Sequence, residues 1–362
     1  MENQKFFVHP DIAKAETIHT DAYLSQDVFE KFKSSIFKDS WQFIGDTDMI
    51  TNQGDIYPLI LLPGYLNEPL LLTRDQDDNV HCLSNVCTHR GNLIAEEPCN
   101  MRNLQCRYHG RRFDLDGKFV FMPEFREVED FPTERDDLHN LPLYQWGKWL
   151  FTSLGNSVPS KYFNEMMERL YWLPIQDFHF RNDLSKDYEV EANWALYCEN
   201  YLEGFHIPFI HGSLNDVIDY KTYSTELFQY SNLQLGIAKD DEDCFDLPPS
   251  SVDYGKKVGG YYFWIFPNMM FNFYPWGLSI NMVKPLSVSR TRISFLSYVW
   301  NESKLDQGAG SDLFRVELED EEVVQAVQQG VRSQYYTHGR YSVTREQGTH
   351  HFHRLLAQHL II

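Results

Sequence analysis

Apolar positions change their period several times along the chain. In "ETIHTDAYLSQDVFEKFKSSIFKDS", residues 16–40, Val28, Phe29, Phe32, Ile36 and Phe37 recur at helical spacing behind a capping candidate, Ser25. From Trp41 to Leu154, short runs such as "YPLILLP" and "PLLLTRD" alternate with turn signals such as Asp116-Gly117, which predicts a small β domain. Residues 155 to about 185 read as a linker with one short helix in "SKYFNEMMERLYWLP". "YEVEANWALYCENYLEGFHIPFIH" then opens as a strand and turns helical near Asn193. Strands fill roughly 220–300. One helix is expected from about Asp320 through "EEVVQAVQQGVRSQ" and another over "GTHHFHRLLAQHL". The predicted class is α+β, in three parts: a helical segment over 1–40, a β domain over 41–154, and a domain over 155–362 with an antiparallel sheet flanked by helices.

One run carries no charge from Val258 to Val283, "VGGYYFWIFPNMMFNFYPWGLSINMV". It is long enough to span a bilayer, but Pro267, Pro275, Gly277 and three asparagines interrupt it. It therefore predicts two short buried strands and a turn. The formal charge of −20 argues against a nucleic-acid partner, which asks for a basic face. "MENQKFFVHPDIAKAE" lacks a basic-then-apolar leader pattern, and six cysteines in 362 residues are no disulfide framework. The expected setting is cytoplasmic and reducing, with thiols free for metal and no membrane contact.

Those thiols concentrate in one place. Cys87-Thr88-His89 and Cys106-Arg107-Tyr108-His109 each offer one thiolate and one imidazole, with sixteen residues between His89 and Cys106. Two thiolates and two imidazoles suit tetrahedral zinc or a [2Fe–2S] centre with Cys₂ on one iron and His₂ on the other. A zinc finger groups like with like, whereas here each arm gives one ligand of each kind, which favours two loops clamping a binuclear cluster. Gly91 and Gly110 follow the histidines, where the chain must turn and N–H groups would face sulfide. Cys82 and Cys99 are expected to be small core residues. Together "CTHRG" and "CRYHG" resemble the Rieske motif, and "RRFDLDGKF" resembles the strand and turn that close that domain. Arg111 departs from the aromatic usual after the second His-Gly.

A second constellation follows about ninety residues on, with His206 and His211 five apart around Pro208. Proline breaks the helix between them, so both imidazoles can reach one metal. Two His and a carboxylate form the facial triad of non-haem Fe(II) oxygenases. Glu203, three residues ahead of His206, is a candidate ligand or an acceptor for an imidazole N–H. The whole arrangement resembles the Rieske non-haem iron oxygenase α subunits, the aromatic-ring-hydroxylating dioxygenase family. Glu203, where many members have Asp, resembles the carnitine and choline monooxygenase branch. The resemblance implies a Rieske β domain with Cys87, His89, Cys106 and His109 on the cluster, followed by a helix-grip (START-like) catalytic domain on which the N-terminal segment packs. It implies a mononuclear Fe(II) on His206, His211 and a third ligand in "VELEDEEVVQAVQQG", with Asp320 ahead of Glu319 or Glu317. It places Asn200 near that iron, and makes Glu203 the bridge from His206 to His109 of an adjacent subunit in a homotrimer. A separate NAD(P)H-dependent flavin/iron–sulfur reductase is implied too, since "GYLNEPLLL" and "GSLND" are not G-x-G-x-x-G.

Small molecule and O₂ are then the expected substrates. Aromatic content of 15% allows an apolar pocket, with Phe263, Trp264, Phe271, Phe273, Tyr274 and Trp276 as candidates. Such a wall fits a quaternary or methylated amine by cation–π attraction, leading to monooxygenation with N-demethylation or C–N cleavage. The alternatives are hydroxylation of an aromatic ring or aromatic acid, and, in another class, a Rieske electron carrier, which would have no use for His206 and His211.

Overall fold

The structure is a computed structural model and describes residues 5–305, 307–311 and 313–360. The first four residues of the N-terminal segment and the last two of the chain lie outside the described residues. The chain forms two compact units, one from residues 38–157 and one from 1–37 with 158–362.

The smaller unit is built of short antiparallel strands. A five-stranded sheet has the order β5-β2-β3-β4-β9, from β2 (Asp55–Leu61), β3 (Glu68–Arg74), β4 (Val80–Ser84), β5 (Cys99–Asn100) and β9 (Asn140–Leu141). A three-stranded sheet joins β6 (Leu104–Gln105), β7 (Arg112–Phe113) and β8 (Phe119–Phe121). Another joins β1 (Gln42–Asp46), β11 (Trp149–Thr152) and β10 (Leu143–Trp146). Ile56, Leu71, Leu83, Leu104, Phe113 and Leu138 share one core with Cys87 and Cys106. Packing on both sides thus fixes where the two cysteine loops leave their strands. Cys82 is buried and Cys99 packs partly buried against that core.

The larger unit centres on a seven-stranded antiparallel sheet of order β12-β18-β17-β16-β15-β14-β13. Its strands are β12 (His179–Val190), β13 (Ser224–Leu227), β14 (Ser231–Ile237), β15 (Val258–Ile265), β16 (Met269–Tyr274), β17 (Gly277–Ser287) and β18 (Arg290–Val299). Helices α1 (Asp21–Leu24), α2 (Gln26–Phe32), α3 (Ser160–Arg169), α4 (Trp194–Tyr201), α5 (Ile207–Ile210), α6 (Gly212–Val217), α7 (Leu313–Gly330) and α8 (Gln347–Leu360) complete it. Trp194 joins three of them, meeting Phe32 and Phe352 edge-on. Among the described residues no helix is long and apolar enough to cross a membrane.

Four local expectations change. Helix begins at Asp21 rather than residue 16, because the segment before it is extended against the far end of the chain: Glu16 bridges Arg340, and Thr17 and Thr20 N–H donate to Gly339 and Thr337. β12 starts at His179, inside the expected linker. It is an edge strand, mostly exposed, so no apolar alternation announces it. The charge-free stretch holds two turns, not one, and runs into a third strand, β17. Finally, α7 starts at Leu313, so Glu319, Glu321 and Glu322 lie beyond its first turn and the attraction of acidic groups to a helix start does not explain them.

Candidate active site

The two cysteine loops are near copies. In the first, Cys87 N–H donates to Asn92 O and Gly91 N–H to Cys87 O, at 2.8 and 2.9 Å. In the second, Cys106 N–H donates to Arg111 O and Gly110 N–H to Cys106 O, at 2.8 and 3.0 Å. Gly91 (φ +70°) and Gly110 (φ +75°) take the left-handed conformation that closes each turn. Their N–H groups go to cysteine carbonyls, which corrects the expectation that they face sulfide. The loops bring the His89 and His109 rings to 4.7 Å between centroids.

The donor set fits a Rieske cluster. His109 Nδ1 is buried without a hydrogen-bond partner, as an atom kept for a metal would be. Burial, helped by His109 and two arginines, holds the His89 pKa down, so its ring is neutral and can ligate. Burial and neighbouring Cys106 push the Cys87 thiol up, so a metal is what would favour the thiolate. Asn92 Nδ2 reaches Cys106 Sγ at 3.7 Å. Arg111, the departure from the family pattern, is buried; it pairs with Asp136 Oδ1 at 2.6 Å and lies over the Phe119 ring at 4.9 Å. Stacking and a planar ion pair let a guanidinium occupy an aromatic's place.

In the larger unit, Asn193 caps α4 by accepting from Ala195 N–H, and α4 ends at Tyr201. The chain then turns tightly through Glu203 and Gly204. A Cβ on Gly204 would meet the Tyr223 ring at 2.6 Å, so only glycine lets the loop approach. Glu203 therefore sits past the end of α4. Its Oε2 accepts from Phe205 N–H and, at 3.2 Å, from His206 N–H, while Oε1 lies 2.7 Å from His206 Nδ1. Pro208 falls in the first turn of α5, where a missing N–H costs nothing, and His211 stands at the junction of α5 and α6.

This places His206 Nε2 and His211 Nε2 3.1 Å apart. Asp320 Oδ1 from α7 is 3.0 Å from His211 Nε2 and 3.6 Å from His206 Nε2. Asn200 Nδ2 donates to the same oxygen at 2.8 Å. His211 Nδ1 lies 2.9 Å from Glu319 Oε2. With each Nδ1–H donating to its own carboxylate, both Nε2 lone pairs face Asp320 and each other. That is unfavourable unless a cation sits among them, and ligand atoms of His206, His211 and Asp320 all fall within 4.8 Å. Burial works to lower the His211 pKa, but the Asp320 and Glu319 carboxylates outweigh it and raise it. Of the three acidic candidates, Asp320 reaches the centre. Glu319 holds the far side of His211, and Glu317 accepts from the Tyr197 hydroxyl at 2.6 Å.

Beside the triad lies a cavity of about 110 Å³. Its floor is one row across four strands, Gln234, Tyr262, Asn272 and Ser279, joined by register. Tyr197, Tyr201, Tyr223 and Tyr274 add to the wall. Of the six aromatics expected there, Tyr274 lines it. Phe263, Phe271 and Phe273 point to the opposite face, since strand side chains alternate. Trp264 shares the face but packs on Phe352, and Trp276 stacks behind Tyr274 at 5.4 Å. Sequence reasoning missed Tyr197, Tyr201, Tyr223 and Tyr262. The only available signal was α7's stripe of Leu313, Val316, Glu317 and Asp320, which leads to Tyr197.

A cluster-binding β unit and a two-histidine, one-carboxylate centre define an iron oxygenase fed by a Rieske cluster. The model of the ring hydroxylating alpha subunit (catalytic domain) matches residues 179–361, and that of the Rieske [2Fe-2S] domain matches 41–132. The chain belongs to this family of Rieske non-haem iron oxygenases, oxidoreductases that use a [2Fe–2S] cluster and a mononuclear iron and draw electrons from a reductase. It is 28% identical over 370 residues to a chloroplastic choline monooxygenase of Arabidopsis thaliana, covering 96% of this chain and 84% of that one. It is 27% identical over 373 residues to the carnitine monooxygenase oxygenase subunit of Acinetobacter pittii (strain PHEA-2), covering 98% and 97%. The fold matches the quaternary ammonium Rieske monooxygenase CntA in complex with L-carnitine, at TM-score 0.77 and 24% identity over 97% of each chain. It also matches naphthalene 1,2-dioxygenase from Rhodococcus sp., at TM-score 0.72 and 15% identity over 95% of this chain and 94% of that one.

Proposed function

We propose that this chain is the oxygenase component of a monooxygenase acting on a small quaternary or methylated amine of the choline, carnitine or betaine kind, with N-demethylation or C–N cleavage following. The observation that carries this reading is the ring of tyrosines, Tyr201, Tyr223, Tyr262 and Tyr274, around the cavity. Tyr262 and Tyr274 meet edge-on at 5.8 Å, making a corner of aromatic faces. Burial raises their phenol pKa values, so the rings stay neutral, and a ring face that meets a desolvated cation is worth about 2 kcal/mol.

In this reading Cys87, His89, Cys106 and His109 hold the cluster, and His206, His211 and Asp320 hold the mononuclear iron. The iron, once bound, supplies reductive activation of dioxygen with electrons delivered through the cluster. The chain's own groups do the rest. Glu203 and Glu319 keep the Nδ1 protons of His206 and His211 pointed away from the metal. Asn200 fixes the Asp320 carboxylate. The tyrosines seat the substrate and exclude water from the reacting carbon. The reductase would be an NAD(P)H-dependent flavin/iron–sulfur protein, and the assembly a homotrimer in which Glu203 meets His109 of the partner subunit. Large exposed apolar groups beside both ends support that contact: Tyr108 next to His109, and Phe205 and Phe209 next to His206. A cytoplasmic setting suits six cysteines that are all free of disulfides.

The test is oxygen uptake by iron-loaded protein with a surrogate reductase, against quaternary amines and aromatic acids. Uptake matched by product with a trimethylammonium compound is expected. Turnover of benzoate-like acids with no amine accepted would overturn the reading.

A further inference from the structure

Helix α7 turns Leu313, Val316, Glu317 and Asp320 toward the cavity, the i, i+3, i+4, i+7 stripe of one helix face. Asp320 is engaged by Asn200 and His211. Glu317 is not committed to the metal. It is 3% exposed, its Oε2 accepts the Tyr197 hydroxyl, and its Oε1 is buried with no partner. Buried carboxylate oxygens are nearly always satisfied, so an orphaned one against a cavity marks a place for a ligand's positive or donor group. Gln234 Oε1, on β14, is likewise buried, unpartnered and part of the lining. Among the described lining residues there is no lysine or arginine. Asn272 and Asn281 spend their carbonyl oxygens on Tyr201 and Ser279. A substrate carboxylate would thus enter a wall that holds a buried acidic group and offers it no cation.

We propose that Glu317 is a charge filter: it seats the cationic end of the substrate and, with no basic residue in the wall, confines the enzyme to amines that lack a carboxylate. The ligand class is a small trimethylammonium alcohol or a simple methylated amine, and trimethylamino acids are rejected. This rests on the amine reading above and narrows it. Burial, reinforced by the Asp320 and Glu321 carboxylates, pushes the Glu317 pKa well up against the pull of the Tyr197 hydroxyl. A cation beside the group favours its ionised form, so ligand and carboxylate stabilise each other.

Three probes separate the possibilities: choline, the longer zwitterion γ-butyrobetaine, and 3,3-dimethylbutan-1-ol, choline's neutral carbon analogue of the same size. Coupled oxygen uptake and kcat/KM are measured on holoenzyme, wild type and Glu317→Gln, with the cluster's visible absorption confirming that the variant is folded. Wild type should prefer choline over both other probes by about 100-fold or more, and Glu317→Gln should lose about 100-fold on choline while the neutral analogue is unchanged or improved. γ-Butyrobetaine used as well as choline, or choline kcat/KM untouched in Glu317→Gln, overturns the filter and leaves the amine reading standing. The wild-type comparison needs no variant, so the filter stays testable if Glu317→Gln does not fold. Failure of choline and γ-butyrobetaine alike, with an aromatic acid consumed, removes the amine reading and the filter with it.

Discussion

Replacing Glu319 by alanine removes the group that aims His211. Its Oε2 lies 2.9 Å from His211 Nδ1, and Arg315 Nε holds the other oxygen at 3.0 Å. His211 is 1% exposed, so water is poorly placed to substitute. A hydrogen bond to a charged group contributes about 1.5–3 kcal/mol, and each 1.4 kcal/mol is about tenfold in an equilibrium constant. Fe(II) affinity should therefore fall ~10- to 100-fold, the usual cost of losing a partner behind a metal-bound imidazole. Electrostatics point the same way: Glu319 is one of the two carboxylates that raise the His211 pKa against its burial, and a more basic ring is a stronger donor. Glu319→Gln keeps an acceptor without the charge and should fall between wild type and alanine. The assay is anaerobic Fe(II) titration of protein whose mononuclear iron has been removed, in competition with a chromogenic chelator. Cluster absorbance reports separately on the Rieske unit. Equal affinity in wild type, Glu319→Ala and Glu319→Gln would refute the idea that paired carboxylates orient the two imidazoles.

Other consequences can be checked as directly. His211→Ala or Asp320→Asn should lower iron from about three to about two atoms per chain with the reduced-cluster EPR signal intact, and loss of that signal along with the third iron would count against two separate centres. Burial, aided by Arg354, pushes the His351 pKa down to about 4, so the folded chain keeps this ring neutral while the unfolded chain protonates it near 6.5. Stability from this source is complete above about pH 6.5 and declines as pH falls toward 4, by at most about 1.4 kcal/mol per pH unit. His351→Gln should flatten that limb of the Tm–pH curve, and an unaltered limb would exclude His351 as its cause. Burial pushes the Cys82 thiol up to about 12, so Cys82→Ala should leave the cluster spectrum unchanged and native Cys82 should resist alkylation. Rapid labelling of Cys82 in folded protein would contradict its place in the core.

Most of the metal-binding groups are legible along the chain because short loops must deliver them together, whereas Asp320 comes from α7, 109 residues after His211, and is named only through the family resemblance. Cys87 to His109 and Asn200 to His211 each fall within one local excursion, and residue type and spacing name the chemistry almost unaided. Register is not local in that sense. Gln234, Tyr262, Asn272 and Ser279 become neighbours only when β14 to β17 pair as they do, and a one-residue slip would put the other face toward the iron. That is why a list of aromatics drawn from the charge-free stretch mixed both faces of the sheet and found Tyr274 alone. The edge strand β12 was illegible for the converse reason, since one exposed side leaves no alternation to detect.

The misplaced start of α7 has a more informative cause. Leu313 and Val316 begin an apolar stripe, and the next two members of that stripe are Glu317 and Asp320. Carboxylates at core-facing positions broke the helical pattern, so the helix read as starting where the stripe had already ended. Local pattern and global fold usually agree, and the places where they part are where a chain spends stability on chemistry. Here the two offending residues divide the work of the site between them. Asp320 faces the imidazoles, and Glu317, one turn earlier on the same face, meets whatever positive group enters the cavity. On the proposal above, the irregularity that hid the helix also marks the two ends of the site, Glu317 for the substrate's charge and Asp320 for the metal that would act on it.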